Sequence, residues 1–201
     1  TENYSVQVDA AATARVSATA FPFLGIDNSW SPKAVTQHLS RFVYGNLGPG
    51  FESTIVFADP FLPDTVGLGA PTNRGFTVGG ADEGSIVALV SITQTAVGSP
   101  AQSALLVLKE FAAYLVTGEP NKTTDADSVF KTLTTNRISY ECGCASAATV
   151  ARSPYGVFWA SHDDVWFFVA GAVPIRVGSK IRPVLGYTPT NVRYLWHGAY
   201  F

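Results

Sequence analysis

Clusters of glycine, proline, asparagine and aspartate divide this sequence into short apolar segments. Such clusters stand at residues 45–50, 67–75, 79–84, 98–100 and 118–124. They recur roughly every ten to twenty residues, which is the rhythm of a chain of strands and turns. Most of the intervening segments suit a strand better than a helix of ordinary length. The spacing of the breaks therefore predicts a mainly β protein with many short strands.

The residues between the breaks favour the same structure. β-Branched and aromatic side chains, which fit the pleated surface of a sheet, dominate many of these segments. We predict strands at Tyr4–Val8, Thr13–Thr19, Ser53–Phe57, Ser85–Thr93, Arg137–Cys142, Val157–Ala160, Val165–Val169 and Val192–Trp196.

Two segments have the pattern of a helix. Ser31 and Pro32 are typical of a helix start, apolar residues follow at helical spacing, and Gly45 is a typical terminator. This pattern predicts a helix at Pro32–Tyr44. A shorter helix is predicted at Thr124–Leu133, where acidic residues occupy the first turn.

The segment 101–117 fits two structures. Pro100 and Gly118 are suitable helix boundaries, and Leu105, Leu108 and Leu115 share one helical face. The same residues also alternate as the two apolar faces of a strand buried inside a sandwich. Local rules favour the helix, and the strand remains the alternative.

Length and charge exclude several classes of protein. The chain has 201 residues, which predicts a single domain spanning 1–201, and it carries 13 basic and 15 acidic residues for a net charge of -2. No basic arm is present to neutralise a phosphate backbone, so contact with RNA is expected to be weak and non-specific. No apolar run reaches the roughly 18 residues of a membrane helix, so no membrane association is predicted.

The N-terminal residue indicates processing. The sequence begins at Thr1 and contains no methionine, which predicts release from a longer precursor by proteolysis. Sequons at Asn3 and Asn121 would be glycosylated only in a secretory compartment, and their use is left open.

One arrangement of residues suggests catalysis. The order His38, Cys142, His162 resembles that of the chymotrypsin-like cysteine proteases of picorna-like viruses. The resemblance implies that His38 is the base, Cys142 the nucleophile and His162 a reader of a glutamine substrate. The sequence departs from that family around Cys142, since the glycine two residues before the nucleophile is missing. The non-catalytic interpretation is that His38 is a packing residue. We predict no catalytic residue.

The pair Cys142 and Cys144 does not predict a metal site. A structural zinc site needs four ligands, and no second pair stands at a suitable spacing. Free cysteines usually behave as small hydrophobic residues. We predict no metal and no cofactor.

The segment 153–174 resembles the C-terminal strand region of the capsid proteins of picorna-like viruses of the dicistrovirus, iflavirus and marine RNA virus types. In that family an apolar strand runs into Gly-Asp-Asp-Phe, continues with aromatic residues and ends near Gly-Pro. The matching residues in this sequence are Asp163, Asp164, Trp166, Phe167, Gly171 and Pro174. The sequence departs from the pattern at His162 and Val165, which replace the glycine and the phenylalanine.

The resemblance implies a fold and a function. The fold is an antiparallel eight-stranded jelly-roll sandwich with short helices in the connections. The function is that of a structural subunit of a small icosahedral capsid, found in the virion and, during assembly, in the host cytoplasm. The implied partners are other capsid subunits, genomic RNA at most weakly, and a host receptor. A receptor- or glycan-binding β-sandwich is the other non-enzymatic alternative.

Apolar residues outside the predicted core indicate where subunits would meet. Aromatic and aliphatic side chains between prolines and glycines, and at a chain end, are typical of interface cores. The candidate interface residues are Phe61, Leu62, Val66, Leu68, Trp196, Tyr200 and Phe201.

Overall fold

The computed structural model describes residues 31–58, 75–94, 102–118, 133–139 and 141–180. Twelve strands and two short 3-10 turns, Ala81–Glu83 and Ala147–Thr149, make up the regular structure of these residues. The strands are β1 (Ala34–His38), β2 (Arg41–Gly45), β3 (Thr54–Phe57), β4 (Gly75–Thr77), β5 (Ile86–Gln94), β6 (Gln102–Lys109), β7 (Ala113–Thr117), β8 (Thr134–Ser139), β9 (Ala151–Ser153), β10 (Gly156–Ala160), β11 (Val165–Phe168) and β12 (Ile175–Arg176).

The strands form three antiparallel sheets of four strands each. Sheet I contains β1 to β4, sheet II contains β5 to β8, and sheet III contains β9 to β12. Within each sheet every strand pairs with the strand that precedes or follows it in the chain, so each sheet is a meander. The prediction of a mainly β, antiparallel protein is confirmed.

Sheet II is the middle layer of a stack. Leu105 and Val107 of β6 pack against a cluster that includes Val43 and Phe57 of sheet I. The neighbouring side chains of β6 point to the opposite face, where Leu106 packs with residues of sheet III. Both faces of sheet II are therefore buried. Sheets I and II approach most closely at their first strands, β1 and β5.

The burial of both faces decides the structure of 101–117. The described part of this segment is strand, β6 and β7, joined by a tight turn at residues 110–112. The predicted helix is wrong because a helix would offer only one apolar stripe, whereas alternate residues of β6 fill two different clusters. The strand alternative is confirmed.

The helix predicted at Pro32–Tyr44 is also wrong. These residues form the hairpin of β1 and β2, paired from Ala34 with Gly45 to His38 with Arg41. The backbone N–H of Lys33 donates to the carbonyl of Gly45, so the cross-strand bonding extends beyond β1. The turn divides the apolar residues that share one helical face, since Val35 lies on β1, Leu39 in the turn and Phe42 on β2.

The hairpin turn gives a test of this correction. Leu39 and Ser40 have positive φ values of 49° and 61°, a conformation that costs an L-residue about 1 kcal/mol and glycine almost nothing. Ser40→Gly is expected to raise the free energy of unfolding by about 0.5–1 kcal/mol, measured by urea unfolding. In a helix the same change would lower that free energy by about 0.5 kcal/mol. A destabilised variant would contradict the hairpin.

The strand predictions within the described residues are confirmed with small shifts. The predictions at 53–57, 85–93, 157–160 and 165–169 correspond to β3, β5, β10 and β11. The strand predicted at Arg137–Cys142 starts earlier, at Thr134, and ends at Ser139. The strands predicted at 4–8, 13–19 and 192–196, and the helix at 124–133 apart from Leu133, lie outside the described residues.

Candidate functional site

His38 and Cys142 do not meet. His38 is buried on the same face of β1 as Ala34, which belongs to the cluster between sheets I and II. Cys142 lies in the cluster between sheets II and III, on the other side of the middle layer. The structure therefore does not bring together the two residues that a cysteine protease would need.

His38 has a different partner. Its Nδ1 lies 2.9 Å from the Oγ of Ser91 on β5, which ties the first strands of sheets I and II together. Burial lowers the pKa of His38 to about 4, because desolvation disfavours the imidazolium. The ring is therefore neutral near pH 7, and its role here is a hydrogen bond between two sheets.

The two cysteines are packing residues in this structure. Burial raises the pKa of Cys142 above its ordinary value and raises that of Cys144 to about 12, which is the opposite of what an activated nucleophile requires. The N–H of Cys144 donates to the carbonyl of Lys109 at 2.8 Å. A Cβ at Gly143 would overlap the carbonyl oxygen of Glu110. The Cys-Gly-Cys sequence thus lets the chain pass close to the turn between β6 and β7.

Trp159 fixes the same segment to sheet III. Its indole Nε1 donates to the carbonyls of Cys142 and Gly143, both at 3.2 Å. His162 lies nearby in the chain, and its ring stacks on Phe111 with centroids 5.5 Å apart. Among the described residues, no group of three or more histidine, cysteine, aspartate or glutamate side chains could hold a metal ion.

The Asp163 and Asp164 pair shapes the turn between β10 and β11. The hydroxyl of Ser161 donates to Oδ1 of Asp163 and accepts from the backbone N–H of Asp164. It also accepts from the indole Nε1 of Trp166 at 3.1 Å. Asp164 is buried, and its carboxylate accepts the N–H of Val165 at 2.8 Å. The acidic pair therefore closes a hairpin, with Ser161 at its centre.

Ser161 was not singled out from the sequence. Its position two and three residues before the aspartates is the signal that could have identified it, because serine hydroxyls commonly bond the backbone two or three residues further on.

The remaining motif residues fall on two sides of sheet III. Trp166 points inward, where the guanidinium of Arg176 lies 4.9 Å from its ring centroid. Phe167 is only half-buried and packs beside Phe158, with ring centroids 4.4 Å apart. Gly171 has a φ of 89° in the loop after β11, a conformation that favours glycine, and Pro174 is buried before β12. The motif residues are thus structural parts of sheet III.

The outer face of sheet III carries an apolar row. The strand register places Ala151, Phe158, Phe167 and Ile175 side by side across the four strands. We name these four residues the sheet III outer row. Ile175, at its end, is 54% exposed.

Exposed apolar side chains are concentrated in the same part of the molecule. Among the described residues seven large hydrophobic side chains are exposed, and five of them belong to sheet III and its loops. Those five are Tyr155, Val169, Val173, Ile175 and Val177. The candidate interface residues predicted from the sequence, at 61–68 and 196–201, lie outside the described residues.

A row of the same kind lies at the other end of the stack. Val35, Tyr44 and Val56 are neighbours across β1, β2 and β3 on the face of sheet I that points away from sheet II. We name these three residues the sheet I outer row. Val35 is 58% exposed, whereas Val56 is buried. Val56 packs with Leu47 and Ala58, so this face of sheet I is partly covered by the chain itself.

A groove of about 300 Å³ opens between sheets II and III. One wall is the end of β5, from Ser91 to Thr93, and the other contains Arg152 and Tyr155 from β9 and the turn that follows it. Its lining includes a guanidinium and an aromatic ring, which are groups that can bind a polar ligand, whereas the Ser91 hydroxyl bonds His38 on the opposite face of sheet II.

A buried ionic cluster joins sheets I and II. The side chain of Lys109 is fully buried and donates to Ser53 Oγ at 3.0 Å and to the carbonyl of Val78 at 3.1 Å. Its Nζ lies 3.4 Å from a carboxylate oxygen of Glu83. Arg137 Nη2 lies 2.7 Å from that carboxylate, and the hydroxyl of Tyr114 donates to it at 2.6 Å. This cluster was not identifiable from the sequence, because its members are far apart in the chain.

The cluster holds Glu83 in its charged form. Burial by itself would raise the pKa of Glu83, but the Tyr114 hydrogen bond and the charges of Arg137 and Lys109 outweigh it and hold the pKa below its ordinary value. With its charges paired inside the fold, the cluster stabilises structure rather than offering a reactive group.

No helix in the described part of the chain is long and apolar enough to cross a membrane. No protein-family model and no curated protein matches the chain.

Proposed function

We propose that the protein is a non-catalytic structural subunit of an assembly, and that the assembly is the shell of a small picorna-like virus. The observation that carries the proposal is the concentration of exposed apolar side chains on sheet III and its loops. An exposed, contiguous apolar surface is costly for an isolated molecule and is typical of a surface that another protein covers.

The geometry of the motif residues agrees with a structural role. In 153–174, the segment that resembles capsid proteins, the two aspartates close a turn and the aromatic residues fill or flank sheet III. A structural subunit needs a rigid sheet of this kind to present a defined surface to its neighbours.

The strand connections favour a different architecture from the one implied by the resemblance. A jelly roll requires pairing between strands distant in sequence, whereas every pair among the described strands is consecutive in the chain. We therefore propose that this part of the subunit is a stack of three meanders rather than an eight-stranded jelly roll.

One observation favours a second function. The groove between sheets II and III is lined by Arg152 and Tyr155, whose guanidinium and aromatic ring suit a glycan or another polar receptor group. A glycan-binding module would bind sugars as a monomer, and Tyr155→Ala would weaken that binding.

Electron microscopy of the native source material tests the structural role. We expect particles whose protein includes this chain. A protein that is absent from all particles would contradict the proposal.

A thiol-reactive probe applied to the purified protein tests the protease alternative in parallel. Both thiols should react slowly in the native protein and rapidly in urea, because burial disfavours their thiolates. Rapid native labelling of Cys142, with loss of peptide cleavage in Cys142→Ala, would favour the protease instead.

A further inference from the structure

Arg152 occupies an unusual position in sheet III. The strand register sets it opposite Val157 on β10, and Val157 lies opposite Phe168 on β11. Residues directly opposite each other in an antiparallel sheet share one face. Val157 and Phe168 are buried in the cluster between sheets II and III. Arg152 therefore continues a row of side chains that faces sheet II.

Unlike the other two members of this row, Arg152 is exposed. It lies on β9, the edge strand of sheet III, and it lines the groove of about 300 Å³ between sheets II and III. The ion pairs among the described residues involve Lys109, Arg137 and Arg176, and none of them involves Arg152. A charge in a core-facing row needs water or a counter-charge. The groove can admit either of them to the guanidinium.

The rest of the lining suits a small ligand that has an apolar face. Ile92 on one wall, and Val157 and Phe168 on the other, supply apolar surface. Tyr155, which is 73% exposed, supplies an aromatic ring. Among the described residues of the lining, Arg152 alone is charged. Small-molecule sites usually combine apolar and aromatic surface with a few placed polar groups, and their volumes begin at about 300 Å³.

Ser153 holds the turn that presents Tyr155. Its Oγ accepts the backbone N–H groups of Tyr155 at 3.2 Å and of Gly156 at 3.1 Å, and its hydroxyl donates to the carbonyl of Gly156 at 3.1 Å. These two N–H groups are therefore not free to bind a ligand. Phosphate sites usually draw on several free backbone N–H groups, so this turn does not favour a phosphate.

A single guanidinium matches a carboxylate. Two parallel N–H groups of arginine fit the two oxygens of one carboxylate, and the charges balance one to one. A sugar ring has an apolar C–H face that can pack on the Tyr155 ring, and its hydroxyls can remain in contact with water at the open side of the groove. A sugar that carries a carboxylate therefore fits the charge and the aromatic ring together.

We propose that the groove between sheets II and III binds an acidic saccharide, with the carboxylate on Arg152 and the sugar ring against Tyr155. This inference rests on the second function proposed above, the binding of a glycan, and it names the class of sugar. It is compatible with a structural subunit, because the groove is open at the surface.

An NMR titration of the isotope-labelled chain measures binding of two sugars that differ at one group. Methyl β-glucuronide has a carboxylate where methyl β-glucoside has a hydroxymethyl group. We expect the glucuronide to bind about tenfold more tightly, because it adds a charge-assisted hydrogen bond. The largest amide shifts should lie at residues 152–157. Acetate, which has the carboxylate without the ring, should bind about tenfold more weakly than the glucuronide.

Two variants separate the charge from the ring. Arg152→Gln should bring the affinities for the two sugars within about twofold of each other. Tyr155→Ala should weaken the binding of both sugars about threefold or more. Arg176→Gln is the matched control, because Arg176 is also an exposed arginine of sheet III but pairs with Glu141 and does not line the groove. It should leave both affinities unchanged. Circular dichroism verifies that each variant is folded.

Equal binding of the two sugars by the wild type would overturn the inference and leave the binding of a glycan standing. Binding of neither sugar would contradict both. Acetate or inorganic phosphate that bound as tightly as the glucuronide would show a simple anion site and would also overturn the inference, as would loss of the preference in Arg176→Gln. The viral shell is tested separately, by the presence of the chain in particles.

Discussion

Trp159→Ala is expected to lower the free energy of unfolding by about 3–5 kcal/mol. The Trp159 side chain is fully buried between sheets II and III, and its truncation leaves a large cavity that a sheet interface cannot collapse to fill. The change also removes the indole N–H that bonds the carbonyls of Cys142 and Gly143. Equilibrium urea unfolding followed by circular dichroism measures the effect.

Phe158→Ala is the matched control for Trp159→Ala. Phe158 precedes Trp159 on β10 but lies in the sheet III outer row, where it is only half-buried. Phe158→Ala should lower the free energy of unfolding of the monomer by about 1–2 kcal/mol, which is less than the effect of truncating a fully buried aromatic residue. Equal costs for the two variants would mean that the outer face is part of the core, which would contradict the stack described above.

Glu83→Gln is expected to destabilise the protein by about 3–5 kcal/mol at pH 7. The change removes the only negative charge of the described cluster and leaves the fully buried Lys109 ammonium without a counter-charge. Urea unfolding of the wild type and the variant measures the difference. Glu141→Gln is the control, since the Glu141 side chain is 70% exposed and its pair with Arg176 should contribute no more than about 1 kcal/mol.

The difference in stability between the wild type and Glu83→Gln should depend on pH. Because the folded-state pKa of Glu83 is below its ordinary value of 4.5, its contribution is fully present above pH 4.5 and is lost as the pH falls through the folded-state pKa. The stability advantage of the wild type over Glu83→Gln should therefore shrink as the solution is acidified below pH 4.5. An advantage that stayed constant with acidification would contradict the lowered pKa.

The location of the motif residues and of the outer rows was only partly predictable from the sequence. The motif at 153–174 was identified from the residues themselves, and its strand, turn and strand are present as β10 and β11. The outer rows were not predicted, because membership of a row depends on the pairing of strands such as β11 with β12. The sequence of each strand, taken alone, does not specify which residues of the neighbouring strand lie opposite it.

The protease hypothesis shows the same limit. The order of His38 and Cys142 in the sequence was compatible with a dyad, but their distance depends on which face of sheet II each residue meets. Burial on opposite sides of that layer separates them. Residue order alone cannot determine such a contact, because it depends on the packing of three sheets.

The sequence by itself determined the class of fold and five of the twelve described strands, β3, β5, β8, β10 and β11. β-Branched and aromatic runs between glycine and proline breaks favour strands through local sterics, which act within a few residues. The tertiary structure decided between helix and strand at 32–44 and 101–117, and it assembled the cluster of Glu83 and Lys109. The physical reason is that local preferences differ by about 1 kcal/mol per residue or less, whereas burying two apolar faces and pairing two charges depends on segments far apart in the chain.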